Sequence, residues 1–136
     1  MKPTATATVF ASGPAYRHEV HTGCHQLLAD EPASAGGQDA GPAPYDLVLA
    51  GLGACVAITL RMYAERKSWD IGDLKVELQL FKDADGKARV TRRLLTPAVL
   101  TAAQQARLLE IAGKTPVTRT LEAGLAMVTE WGAAPE

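Results

Sequence analysis

Three groups of residues in this chain have the types and spacing for chemistry. Cys55 sits among apolar residues in Leu52-Gly53-Ala54-Cys55-Val56, where a thiol can attack a peroxide or another electrophile. That attack needs the thiolate. Apolar surroundings oppose it, and a mid-helix position adds no dipole, so a cation must stand close. Arg17, Arg61 and Arg119 are the cations on offer. A free cysteine in such a stretch equally reads as a small buried hydrophobe. The second group is His18, His21, Cys24 and His25, which are metal-ligating types within one short segment. They fall on two expected strands across a turn, match no zinc spacing and have no second ligand pair, so they read as solvated strand residues rather than a metal site. The third is Thr115-Pro116-Val117-Thr118-Arg119-Thr120, which has the pattern of a capped short helix carrying one cation. The glycines Gly36-Gly37 and Gly41 lack the lysine and spacing of a phosphate-binding loop.

The elements that must position these residues follow from patterning. Thr4 to Ala11 reads as a first strand ended by Ser12-Gly13-Pro14, and Tyr16 to Thr22 and His25 to Ala29 as two more joined near Gly23. Glu31 to Pro44 is a long Gly-, Pro- and Ala-rich loop, and long ordered loops often carry function. Pro44 and Asp46 then open a helix that closes on Arg66 and Lys67. Its first four turns are apolar on nearly every side, which predicts burial all round. Gly51 and Gly53 weaken that helix and suggest close approach by another backbone or a ligand. Leu74 to Phe81 alternates, Asp85-Gly86 marks a hairpin, and Arg89 to Leu95 returns. Thr101 with Gln104 forms a capping box for a helix reaching Ala112 and ended by Gly113. Thr115-Pro116 opens a short helix, and Leu125 to Trp131 is expected as a last strand. Runs of strands followed by helices make this an α+β chain, expected to fold as a single domain over residues 1–136. One fully apolar helix is hard for a chain of this size to cover, which points to a homodimer.

Composition narrows the function classes. The 136 residues are 47% hydrophobic and 21% charged, with net charge −1. A nearly neutral chain with no basic block has little attraction for nucleic acid or an anionic membrane. Two cysteines are too few for a secreted disulfide scaffold. The Thr- and Ala-rich start lacks the apolar core of a signal peptide. The uncharged apolar run from Leu47 to Leu60 is shorter than the about 20 residues of a membrane span. These features lead us to expect a cytoplasmic protein.

Read together, Gly36-Gly37, Gly41-Pro42, Pro44-Tyr45-Asp46-Leu47, Leu52-Gly53-Ala54-Cys55 and Thr59-Leu60-Arg61-Met62-Tyr63-Ala64-Glu65-Arg66-Lys67 resemble the OsmC/Ohr family, and most closely its OsmC-like branch. The similarity continues through Leu108-Leu109-Glu110-Ile111-Ala112 and Pro116-Val117 to Arg119-Thr120-Leu121. The resemblance implies an OsmC-like fold: an intertwined homodimer with central buried helices between wrapped antiparallel sheets and active sites at the subunit interface. It also implies reduction of organic hydroperoxides in oxidative-stress defence. A helical cysteine passes through a sulfenic acid, a second cysteine resolves it, and a thiol reductant restores the enzyme with no metal or cofactor. Cys55 matches the peroxidatic cysteine.

The departures from that pattern define the expectations. The family's resolving cysteine is Thr115 here, and its glutamate position is Tyr45 with Asp46 adjacent. Arg17 is the upstream arginine available to activate Cys55, because no arginine lies between it and Arg61. A one-cysteine mechanism follows, in which an external thiol reduces the sulfenate. Cys24 would be a substitute resolver if its Cα came within about 7 Å of that of Cys55. The alternative is a non-catalytic OsmC-like dimer that binds a small apolar ligand at the subunit interface. A metal-binding module at His18, His21 and His25 is a third class.

Overall fold

The computed structural model describes residues 1–133. In chain order it contains strands β1 (Thr8–Ala11), β2 (His18–Thr22) and β3 (His25–Ala29), helix α1 (Pro44–Lys67), strands β4 (Lys75–Lys82) and β5 (Ala88–Leu95), and helices α2 (Ala102–Ala112) and α3 (Pro116–Ala123). A three-residue 3₁₀ turn, Ala33–Ala35, interrupts the long loop. This is the α+β order expected from patterning. Leu125 to Trp131, expected as a strand, is irregular instead: among the described residues no strand pairs with it, and Trp131 is fully exposed.

Two compact units make up the chain. The first comprises Met1–Gly51 and Leu78–Thr91. Its sheet has the order β1-β2-β3, all antiparallel, with Val9, Val20 and Leu27 in register across the three strands. Gly23 and Cys24 form the two-residue turn between β2 and β3. Gly23 stands at φ +59°, the left-handed conformation that short hairpins demand of their first turn residue.

The long loop after β3 is ordered by a single carboxylate. Asp30, 3% exposed, accepts backbone N–H bonds from Glu31 (2.8 Å), Gln38 (3.2 Å) and Ala40 (3.1 Å). Its own N–H donates to the Pro42 carbonyl at 3.2 Å. The loop folds back so tightly that a Cβ at Gly37 would overlap the Glu31 carbonyl, and one at Gly41 the Leu28 carbonyl. Those two positions therefore require glycine for want of space.

The second unit holds Leu52–Glu77 and the chain from Arg92 onward. Its core is Val56, Leu60, Ala64, Ile71, Leu108 and Ala112. Full burial of a residue such as Leu60 stabilises by roughly 1.5–3 kcal/mol. Tyr63, Trp69, Leu74, Val76, Leu94 and Ile111 close around the cluster. α2 begins with the complete capping box expected from Thr101 and Gln104, with bonds of 3.1 and 2.9 Å. β4 and β5 pair as a two-stranded ribbon.

Candidate active site

Cys55 lies midway along α1, a 24-residue helix. Pro44 starts it, where the missing N–H costs nothing, and Asp46 Oδ2 accepts the Ala43 N–H at 3.2 Å. Arg66 and Lys67 suit the negative end of the dipole. Leu52, Val56, Leu60 and Ala64 recur every fourth residue and form the buried face. Cys55 is half-buried at the edge of a second apolar stripe shared with Val48, Ile58 and Met62. Those three are 44%, 55% and 56% exposed. Burial all round is thus corrected: within one chain α1 buries one face and leaves the stripe beside Cys55 open. At Gly51, one turn before the thiol, an added Cβ would meet nothing within 4 Å.

Thr115 belongs to the same unit as Cys55 and is 1% exposed. It occupies the N-cap position of α3, as the sequence suggests, but its side chain makes no capping bond. Arg92 Nη1 donates to Thr118 Oγ1 at 2.7 Å, and the two threonine hydroxyls lie 2.7 Å apart. Thr115 Oγ1 in turn reaches the Ala112 carbonyl at 3.5 Å. A guanidinium can only donate and a carbonyl can only accept, which orients both hydroxyls: Arg92 to Thr118, Thr118 to Thr115, Thr115 to Ala112. The position at which the resemblance places a resolving thiol is a satisfied polar network.

Arg17, Cys24, Tyr45, Asp46 and the three histidines belong to the other unit. Arg17 is half-buried, and its Nε has no hydrogen-bond partner among the described residues. Its charge acts on Asp30. Burial raises the Asp30 carboxyl, but the amides of Ala40, Glu31 and Gln38 together with Arg17 outweigh that and hold it below the ordinary carboxylate range. The Tyr45 ring lies under the Lys82 ammonium, 4.5 Å from its centroid. Asp46 is occupied as the helix cap. Cys24 stands exposed at the hairpin tip, with Sγ 3.8 Å from His25 Nε2, and both cysteines are free thiols. His18 Nδ1 lies 2.8 Å from the Tyr16 carbonyl and His21 Nε2 lies 3.0 Å from Glu19, so each histidine has a local partner. Of the other cations, Arg61 donates to the Gly72 carbonyl at 3.0 Å and Arg119 is exposed.

Asp30 and Arg92 are absent from the sequence-based candidates, and Thr118 stands among them only within the capped-helix motif. Asp30 carries a weak signal, an acid at the mouth of a Gly- and Pro-rich loop. Arg92 carries none, because only the fold brings it to Thr118.

A family profile described as OsmC-like protein matches residues 36–130, more than half of the chain. The chain belongs to the OsmC-like protein family. A solved protein from Psychrobacter arcticus shares 20% identity with this OsmC-like chain at a TM-score of 0.75, covering 88% of this chain and 89% of that one. An OsmC-like protein from Mycoplasma pneumoniae is similar at 18% identity and TM-score 0.71, covering 90% and 89%. An organic hydroperoxide resistance protein OsmC from Legionella pneumophila shares 20% identity at TM-score 0.65, covering 86% and 88%. These likenesses establish the OsmC-like fold. No curated protein matches the chain.

Proposed function

We propose that this OsmC-like protein reduces organic hydroperoxides through Cys55 by a one-cysteine mechanism. The observation that carries the reading is Cys55 itself: a free, half-buried thiol on the open apolar stripe of α1 in a chain of this family. The name of the Legionella neighbour supports the substrate class. The Cys55 thiolate attacks the distal peroxide oxygen and the O–O bond breaks. The leaving alkoxide takes a proton and departs as an alcohol, leaving the sulfenic acid. One external thiol condenses with it and releases water, and a second frees Cys55 with a small disulfide as product. The engaged hydroxyl at Thr115 supports an external reductant over an internal one. Arg17 is the proposed activating cation. Tyr45 and Asp46 are proposed to act through the start of α1 rather than on the peroxide.

A homodimer is part of the proposal, because Val48, Ile58 and Met62 leave an apolar surface that a second copy would cover. By length and composition α1 is apolar enough to cross a membrane. Membership of the family favours its use as a central helix in a cytoplasmic protein.

The test is incubation with stoichiometric cumene hydroperoxide and a sulfenic-acid probe, followed by peptide mass analysis. Adduct on Cys55, lost in Cys55→Ser, is expected. Unmodified Cys55 would overturn the peroxidase reading. Apolar-ligand stabilisation that survives Cys55→Ser, without peroxide turnover, would identify the non-catalytic dimer, which the absence of a thiol at position 115 favours.

A further inference from the structure

A cleft of about 330 Å³ opens in the unit that carries the three-stranded sheet. Register explains its floor. His18 pairs with Ala11 on one side and Ala29 on the other, and Val9 stands two residues from Ala11. Val9, His18 and Ala29 therefore share one face of the sheet, and all three line the cleft. Tyr16, Glu31 and Pro44 add walls from the chain before β2, the long loop and the start of α1. The Tyr16 ring packs over the loop, where a Cβ at Gly36 would come 3.3 Å from its Cε2. Cys55 lines no part of the cleft. The volume is near the lower end of the range for small-molecule sites.

The charges on the walls define what the cleft would take. Asp30 and Glu31 line it, and no lysine or arginine does. The Asp30 carboxylate is spent on three loop amides and lies under the charge of Arg17. Glu31 is half-buried, and among the described residues its carboxylate has no hydrogen-bond donor and no salt bridge. His18 Nδ1 faces the Tyr16 carbonyl, which can only accept, so Nδ1 carries the proton and Nε2 keeps its lone pair. The start of α1 at Pro44 is a positive dipole end, but Asp46 in the first turn offsets it. An unpaired carboxylate, an accepting imidazole nitrogen and an apolar floor match a ligand with an ammonium head and a compact apolar body. Hydrogen bonds from an ammonium to a carboxylate are charge-assisted and about twice as strong as neutral ones. The Tyr16 ring suits an aromatic body, because ring pairs gain energy beyond the area they bury.

We propose that this cleft binds a small arylalkyl primary amine as its ammonium ion, with the head on Glu31 and the body against Val9, Ala29, Pro44 and the Tyr16 ring. The inference does not rest on the thiol chemistry of Cys55. The test is calorimetric titration of the full chain with phenethylammonium, with phenethyl alcohol and phenylacetate in parallel. It is run at about pH 8, above the ordinary histidine range. Saturable binding of one ammonium per chain is expected, with the alcohol and the anion each at least about tenfold weaker. Glu31→Gln keeps the side chain's size and the loop's main-chain bonds, and should weaken the ammonium about tenfold while leaving the alcohol unchanged. Val9→Lys, at an exposed position on the edge strand β1, puts a positive charge at the rim and should weaken the ammonium similarly. Cys55→Ser should bind as the parent does. Absence of saturable binding, equal affinity for the alcohol or the anion, or undiminished binding by either Glu31→Gln or Val9→Lys would overturn the proposal.

Discussion

At the scale of single residues, Asp30 shows how one buried acid can set a loop. Its carboxylate accepts three main-chain amides, and each bond favours the charged form over the neutral one. A group whose folded-state pKa is depressed adds stability that is present above its unfolded value. The ordinary value is 3.8, so this contribution should be intact at neutral pH and lost as the pH falls through the lower folded value. Asp30→Asn should therefore melt lower than the parent at pH 7 and show a flatter acid limb below about pH 4, in thermal scans across pH. Cys55 is legible in the sequence as a candidate because the residues around it resemble a family motif. Asp30 is not, because its partners Gln38 and Ala40 contribute only backbone, which no residue type advertises. Arg92 is illegible for a related reason: it meets Thr118 across separate elements, and strand patterning treats it as one more polar residue.

At the scale of elements, patterning succeeded where local physics is decisive. The capping box of α2, the proline start of α3 and the β2–β3 hairpin depend on neighbours in sequence, and all three stand where expected. The segment Leu125 to Trp131 has strand-like composition, yet a strand exists only through a paired neighbour, and none pairs with it among the described residues. α1 was placed correctly, but its apolar composition could not say which face the chain itself covers. The loop before α1 gives a sharp test of crowding. At Gly37 an added methyl would strike the Glu31 carbonyl, which is main chain and cannot swing aside. Gly37→Ala should cost about 1–3 kcal/mol in chemical denaturation, as overpacking does.

At the scale of the whole molecule, the proposed homodimer rests on the open apolar stripe of α1. Ile58 and Met62 are more than half exposed and belong to the same face as Cys55. Burying such side chains on association is favourable, whereas burying a carboxylate there without a partner is costly. Ile58→Glu should therefore shift the protein toward monomer in sedimentation or light scattering, while circular dichroism remains that of the parent. A dimer undisturbed by Ile58→Glu would place the interface elsewhere. The manner in which Asp30 holds its loop has a consequence for sequence drift. A carboxylate that grips only peptide N–H groups asks nothing of the side chains it holds. Gly37 and Gly41 are fixed by space, whereas Gln38 and Ala40 are held by atoms that every residue except proline supplies. Much of the loop's surface lettering is thus free to be rewritten without unmaking its shape, one physical route by which chains only 20% identical can keep a common fold.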